Sequence, residues 1–434
     1  MIDRESTTTA TWCAAILVIT MAAVGAPAAD EIPDHSDDAG KSIVQPEAGV
    51  NDKVTHADSG YGEMQPLDIP DTAGLIIYSA DGQKALRLYG SVRVRGVLDD
   101  RQNFHPFDLN LPQVPTGDDD VEDINSVWSI KGSRIGMDGL IGRGDKSGAM
   151  LRLEFDWKGT DESFRIRQLF FRTKHWVFGK TWATVSNVPV MPLTVDGHLT
   201  SAGLGARPVQ ARYYNRTRAF KYQVGLEYSP PGLVKPEEVA AEGRVVIPNL
   251  AGRLDFENDA FTLLVSAQVK PNRVQFTDGA DEAQNLVGYG GVVAGKVLFN
   301  KNNILMFSAN ANTGTASGMA DFAYTDIDLI YNPGTGEFEN SEVYGGYLAF
   351  EHRWSETLSS TIGVGYIDVR TKPYEDDLTY SSGYKPLVNL FYRPTDGHLE
   401  GLTVGAEVEH AARTNLDAST SSTTRAAILV YYDF

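Results

Sequence analysis

From residue 86 to the last residue, apolar and polar side chains alternate along the chain in segments of about ten residues. In the first segment the apolar face is formed by Leu86, Leu88, Val92, Val94 and Leu98. A period of two places successive side chains on opposite faces of a β-strand. Strands of soluble sandwiches are usually shorter, about five or six residues, so this length favours strands that cross a membrane.

The chain offers no other way to cross a bilayer once its N-terminal segment is set aside. No later segment reaches about 18 consecutive apolar residues, the length a spanning helix needs. A membrane protein without such helices must form a closed barrel, because lipid tolerates no unpaired backbone. We therefore predict an all-β fold, a transmembrane antiparallel β-barrel of about 16 strands. The predicted strands are 86–98, 127–141, 148–158, 164–172, 176–185, 207–216, 219–229, 249–256, 260–270, 286–299, 303–312, 342–353, 357–369, 384–393, 401–413 and 424–434.

The connections between these strands alternate in length. Short turns such as Asn300-Lys301-Asn302 alternate with long segments such as 99–126, 186–206 and 271–285. Outer-membrane barrels combine short periplasmic turns with long extracellular loops. Residues 322–331 also resemble a strand, and we interpret them as a hairpin inside the sixth long loop.

The N-terminal part has a different composition. Residues 1–28 contain a short apolar core and the small-residue pattern Ala26-Pro27-Ala28, which predicts a signal peptide. Residues 29–85 are predicted to be an acidic, flexible, disordered periplasmic extension that precedes the barrel domain 86–434. Within it, 30–73 holds 11 Asp or Glu and two Lys, and such a segment cannot bury a core.

Several motifs in the barrel region resemble the DcaP-like outer-membrane porins. They include Asn389-Leu390-Phe391-Tyr392-Arg393-Pro394 and the terminal Val430-Tyr431-Tyr432-Asp433-Phe434. Further matches are Ser133-Arg134-Ile135-Gly136, Gly179-Lys180-Thr181-Trp182 and Pro208-Val209-Gln210-Ala211-Arg212-Tyr213. The resemblance covers roughly residues 86–434.

The resemblance implies a homotrimer of 16-stranded barrels in the bacterial outer membrane, importing small dicarboxylic or aromatic acids. It also implies that the strand ending in Phe434 is read by the outer-membrane assembly machinery. By the same resemblance, loop 186–206 folds into the barrel and narrows it. Its ionisable side chains, Asp196 and His198, are the predicted constriction residues. The surrounding partners would be the lipid bilayer, lipopolysaccharide and small anionic solutes.

Positive charge is concentrated on the polar faces of the first seven predicted strands. Those faces line the lumen of a barrel, and rings of Lys or Arg select anions. The predicted pore-lining residues are Arg87, Arg93, Arg95, Arg152, Lys158, Arg165, Arg167, Lys180 and Arg212. The alternative is that acidic residues from other strands or loops pair with these charges.

The sequence therefore predicts an anion-preferring diffusion porin rather than an enzyme. No catalytic, metal-binding or cofactor motif is present, and a net charge of −19 argues against nucleic-acid binding. Two alternatives remain at this point. A lipase-like barrel enzyme would need a serine beside one of His352, His398 or His410, and a structural or adhesive barrel would not conduct ions.

Overall fold

The computed structural model describes residues 74–101, 108–142, 148–159, 162–196, 201–217, 220–277, 283–323, 325–395 and 397–434. The predicted signal peptide, most of the predicted extension and His198 lie outside these residues. The described chain forms 22 strands, which are β1 (Leu75–Tyr78), β2 (Lys84–Asp99), β3 (Asn125–Ser129), β4 (Arg134–Ile141), β5 (Ala149–Asp156), β6 (Arg165–Arg172), β7 (Trp176–Lys180), β8 (Val209–Arg216), β9 (Phe220–Tyr228), β10 (Leu233–Val234), β11 (Ala241–Arg244), β12 (Asn249–Glu257), β13 (Phe261–Phe276), β14 (Ala283–Asn300), β15 (Asn303–Thr313), β16 (Leu329–Asn332), β17 (Glu337–Asn340), β18 (Glu342–Arg353), β19 (Leu358–Val369), β20 (Tyr380–Tyr392), β21 (Leu402–Asn415) and β22 (Thr420–Asp433).

Neighbouring strands pair antiparallel around a closed barrel of 16 strands, as predicted. β3 and β4 pair with the two halves of β2 and count as one interrupted strand. The barrel closes where β22 pairs with β2, in the register Val94↔Val430. At the end of this seam, the backbones of Phe434 and Gly90 exchange two hydrogen bonds of 2.9 Å.

The two faces of the wall differ as the alternation predicts. On β2, Leu88, Val92 and Val94 are exposed on the outside, whereas Arg87 and Arg95 are buried inside. An outer band of apolar side chains is what lipid requires of a barrel. The charged faces of the strands therefore line the lumen.

The strand bounds differ from the predicted ones most in three places, whereas the sixth loop holds a hairpin as predicted. The sheet begins at Leu75 rather than near residue 86, because β1 pairs with β2 in the register Leu75↔Leu88. β7 ends at Lys180 rather than at residue 185, where the chain leaves the wall. β13 and β14 extend beyond the membrane-length segments, so the predicted loop 271–285 shrinks to 277–282. β16 and β17 form a hairpin that joins β10 in a separate small sheet, so the sixth loop adds no barrel strand.

Three long connections fold into the barrel, and we name them L1 (residues 100–124), L3 (181–208) and L6 (314–341). Their apolar side chains meet the inner wall in one cluster that includes Leu109, Leu111, Leu204, Met319 and Phe322. L3 and L6 are joined by backbone hydrogen bonds, among them Gly205 N–H to Gly318 O at 3.1 Å. No helix among the described residues is long and apolar enough to span a membrane.

Candidate functional site: the barrel lumen

L3 runs across the lumen and is fixed to the wall β12–β21 through its backbone carbonyls. Arg253 Nη1 donates to Ser186 O at 2.8 Å, and Tyr347 hydroxyl donates to Val190 O at 3.1 Å. Asn389 Nδ2 donates to Leu193 O at 2.9 Å. Buried backbone acceptors need such partners, because L3 forms no ladder of its own here. The polar side chains on the inner faces of these strands thus fix the path of an irregular loop.

A glycine on the inner wall makes room for the returning half of L3. A Cβ atom at Gly365 would lie 2.7 Å from Ser201 Cβ and 2.8 Å from Ser201 O. Real Cβ atoms do not approach backbone so closely, so a larger residue would displace L3. The absence of a side chain at Gly365 of β19 therefore gives L3 the room it needs against the wall.

Asp196 is an anchor of L3. Its backbone N–H donates to Glu407 Oε1 at 2.8 Å, and its Oδ2 accepts from Lys385 Nζ at 3.0 Å. Burial by itself would raise the pKa of Asp196, but Lys385, together with Arg95, outweighs it and lowers that pKa below its ordinary value. A buried, charged carboxylate with these partners holds the loop in place.

Lys385 also binds L1. Its Nζ donates to Leu109 O at 2.9 Å and lies 3.3 Å from Glu409 Oε2. Arg413 supports the same loop, since its Nη1 donates to Pro112 O at 2.8 Å. Two loops far apart in sequence are therefore fastened to β20 and β21 by one lysine and its neighbours.

The wall β2–β8 carries most of the predicted pore-lining residues on its inner face, and Arg207 of L3 lies beside it. Within the described residues, this side of the lumen holds eleven basic side chains, namely Arg87, Arg93, Arg95, Arg134, Arg152, Lys158, Arg165, Arg167, Arg172, Arg207 and Arg212. Their acidic neighbours are Asp99, Asp108, Asp138, Glu154, Asp156 and Asp196. Positive charge outnumbers negative charge on this wall.

Pairing on the periplasmic half of this wall is tight. Arg152 binds Asp138 through two hydrogen bonds of 2.7 and 2.9 Å, and Arg87 lies 3.7 Å from the same carboxylate. Two guanidinium groups thus share one acid.

At mid-height the same sharing continues. Arg165 binds Asp156 at 2.6 Å with 40% of its side chain exposed, and Arg167 pairs with Glu154. Arg95 and Lys158 both lie 3.3 Å from Asp108 of L1. Acidic residues therefore do pair with these basic side chains, as the alternative interpretation of the sequence allowed, but they are fewer than the basic residues.

Arg93 and Arg212 lie on the inner face and make other contacts. Arg93 Nε donates to Ser91 Oγ at 3.1 Å, and its guanidinium lies 4.4 Å from the ring centroid of Tyr431. Arg212 Nη1 lies 3.5 Å from Trp182 O.

Two of the predicted roles do not fit the structure. Lys180 pairs in register with Leu169 and Val209, both exposed on the outer face, so it points away from the lumen. Asp196 was predicted to be a constriction residue, but it is buried, with Arg95 at 3.8 Å. Its nearer partner, Lys385, comes from a distant strand that sequence spacing did not connect with it.

Trp182 and Arg207 are lumen residues that sequence reasoning missed. The Arg207 guanidinium lies 4.5 Å and that of Arg167 lies 5.3 Å from the Trp182 ring centroid. Trp182 follows the end of β7, where the period-two signal stops. A tryptophan beside two arginines provides a cation–π contact. Because it lies outside the alternating pattern, the sequence did not identify it as a lumen residue.

Of the three candidate histidines, the structure describes the side chains of His352 and His410, and that of His398 lies outside the described residues. His352 Nδ1 lies 2.8 Å from Asn303 Oδ1, and His410 Nδ1 lies 3.0 Å from Thr424 Oγ1. Neither ring faces a serine in these contacts. Within the described residues, no group of three or more His, Cys, Asp or Glu is placed to hold a metal ion.

Comparison with solved structures shows a porin fold. The outer-membrane channel DcaP of Acinetobacter baumannii matches with a TM-score of 0.70 and 18% identity, covering 84% of this chain and 100% of that chain. An anion-selective porin from Comamonas acidovorans matches at 0.55 and 10% identity, with 81% and 100% covered. Salmonella typhi OmpF, in a complex with daunomycin, matches at 0.53 and 13% identity, with 83% and 100% covered. At these identities the likenesses establish the fold.

No curated protein is similar enough to count as a relative of this chain. The family model of the DcaP outer membrane protein matches residues 72–434, which is the whole described barrel together with β1. The match and the barrel together place the protein in the bacterial outer membrane. The chain belongs to the DcaP outer membrane protein family.

Proposed function

We propose that the protein is a porin through which small anionic solutes diffuse passively, with dicarboxylic and aromatic acids as the preferred class. The observation that carries this proposal is the charge surplus on the wall β2–β8, where eleven bases face six acids within the described residues. Rings of basic side chains favour anions because they attract an entering carboxylate and repel an entering cation.

The strength of this attraction suits passage rather than trapping. Two unit charges about 4 Å apart attract by about 1 kcal/mol in water and by about 4 kcal/mol near a protein surface. The guanidinium of Arg165 is partly exposed and is available to a solute at this level. A carboxylate that moves between several basic groups is concentrated in the pore. It can still leave the pore because each single attraction is weak.

Aromatic and dicarboxylic acids follow from the family resemblance and from the residues beside the basic wall. The Trp182 ring lies against two guanidinium groups, those of Arg207 and Arg167. Arginine can hold a carboxylate with two parallel hydrogen bonds. A planar acid therefore finds fixed positive charge held in place in this region.

The homotrimer is also part of the proposal, and the short strands of one wall support it. β7 has five residues, a rise of about 17 Å, whereas the hydrocarbon core is about 30 Å thick. Aromatic rings cover the outside of this low wall, with Phe171 and Phe178 stacked at 5.1 Å and Trp176 and Phe178 at 5.7 Å. A wall too low for lipid is accommodated if two neighbouring subunits cover it.

The remaining context is proposed on the same basis. Residues 1–28 act as a signal peptide, and the acidic extension lies in the periplasm. The strand ending in Phe434 is read by the assembly machinery, and the extracellular loops meet lipopolysaccharide. A native mass of three chains in mild detergent is expected, and a mass of one chain would contradict the trimer.

The zero-current potential across a planar bilayer under a KCl gradient tests the anion preference. We expect a chloride preference that falls in the variant Arg93→Gln/Arg134→Gln/Arg165→Gln. The matched control is Arg244→Gln, an arginine exposed in an outer loop. A cation preference, or no change in the triple variant, would contradict the proposal, and an absence of conductance would favour a plugged structural barrel.

A further inference from the structure

A cavity of about 210 Å³ lies between L3, L6 and the wall β9–β13. Its polar lining includes Arg207, Glu227, Asn249, Gln268, Lys270 and Ser317. A single ordered water needs about 10–15 Å³, so this space holds a small solute. The contacts of Asp196 and Lys385 belong to a different part of the lumen.

Small residues on the wall beside this cavity let L3 approach the strands closely. Glu227 pairs in register with Asn249, and the inner positions two residues away are Gly225 and Ala251, which pair with each other. A Cβ atom at Gly225 would lie 2.5 Å from Thr184 Oγ1. Thr184 of L3 therefore occupies the space over Gly225, and the cavity is lined instead by the next inner pair, Glu227 and Asn249.

The cavity is lined by two opposite charges that form no ion pair among the described residues. Glu227 is 2% exposed, and its Oε1 accepts from Thr184 N–H at 2.6 Å. Within the described residues it has no cationic partner within 4.0 Å. Arg207 stacks on Trp182 and likewise forms no ion pair there. Lys270, by contrast, is already paired with Asp328 at 2.7 Å.

Two buried amides complete the lining. Asn249 is 3% exposed and Gln268 is 9% exposed. In the part of the chain that the structure describes, neither side chain has a hydrogen-bond partner. Buried polar groups are normally hydrogen-bonded, so these amides are placed for a guest in the cavity.

We propose that this cavity is a binding subsite for zwitterions of the α-amino acid class. The ammonium group binds the Glu227 carboxylate, with Asn249 as a second partner, and the carboxylate faces Arg207. A buried charge requires an opposite charge, and a zwitterion supplies one to each group at once. This subsite goes beyond the uptake of anions and does not depend on it.

L-alanine and L-lactate test this proposal, because they differ only by an ammonium in place of a hydroxyl group. The full-length protein is reconstituted in a planar bilayer, and each solute is titrated against the single-channel KCl current. We expect L-alanine to reduce the current at concentrations about tenfold lower than L-lactate, since a charged hydrogen bond is the stronger one.

The variant Glu227→Gln keeps an acceptor for Thr184 but loses the charge, so it should bring L-alanine to within about twofold of L-lactate. Arg207→Gln should weaken both solutes. Glu337→Gln, at an exposed position of the outer hairpin, is the matched control and should change neither.

Equal effects of the two solutes on the unmutated protein would overturn the subsite, as would a preference that survives in Glu227→Gln. If neither solute acts, the cavity holds water only and the proposal fails. Should Glu227→Gln lose its heat-resistant β-structure, Asn249→Ala replaces it and is expected to reduce the preference for L-alanine. The zero-current potential is measured on the same channels, so failure of the anion proposal is seen separately.

Discussion

Replacing Lys385 by methionine should release both inward-folded loops from the wall. In the structure, Lys385 Nζ donates to Leu109 O of L1 at 2.9 Å and to Asp196 Oδ2 of L3 at 3.0 Å. It also lies 3.3 Å from Glu409 Oε2. Methionine fills a similar volume without charge, so the variant removes these bonds while the packing changes little.

The expected magnitude follows from burial. The side chains of Lys385 and Asp196 are 2% and 1% exposed, so removing the lysine leaves uncompensated carboxylates in the interior. Breaking one partner of a buried pair costs about 3–5 kcal/mol. The ratio of attached to detached loop should then fall by a factor of about 100 or more.

Single-channel recording measures this change directly. We expect Lys385→Met to show a larger and noisier conductance than the unmutated channel, because L3 no longer holds one position. Lys301→Met is the control, since this lysine is exposed in a periplasmic turn. Adding Asp196→Asn should cost less in the Lys385→Met background than alone, because the pair is already broken. Unchanged conductance, noise and melting temperature in Lys385→Met would refute this account of the anchor.

Three further changes test the seats of the loops and the seam of the barrel. Gly365→Val should displace L3 at Ser201, at a cost of about 1–3 kcal/mol, and alter the conductance; an unaltered channel would contradict this. Asp328→Asn should weaken the ion pair with Lys270 and make L6 more sensitive to limited proteolysis, whereas equal digestion would argue against that anchor. Deleting Phe434 removes two backbone hydrogen bonds at the seam and should lower the yield of heat-resistant barrel in the outer membrane, and a normal yield would contradict this.

The wall of the barrel was predictable from the sequence because its signal is local. Each strand has one lipid face and one lumen face, so a period of two identifies both the strand and the inner residues. The period of two was sufficient to place Arg87, Arg152 and Arg167 on the inner face of the wall. For Lys180 the prediction was wrong, because the polar side chain stands on the lipid side of a short strand.

The contents of the lumen were less predictable because they depend on contacts between distant residues. Asp196 and Lys385 are 189 residues apart, and no spacing rule joins them. The cavity beside Glu227 arises where L3 and L6 meet the wall. No one of these segments indicates the cavity by its own sequence. The use of Glu407 as an acceptor for the L3 backbone likewise depends on a contact between residues far apart in sequence.

The most direct test of the central claim is the relative permeability of three solutes of similar size and different charge. Succinate, succinamide and putrescine are compared in proteoliposomes that contain the purified protein. The charge surplus of the wall β2–β8 predicts that succinate enters fastest and putrescine slowest, and that high salt narrows the difference by screening. Equal rates for all three solutes, or faster entry of putrescine, would contradict an anion-preferring pore.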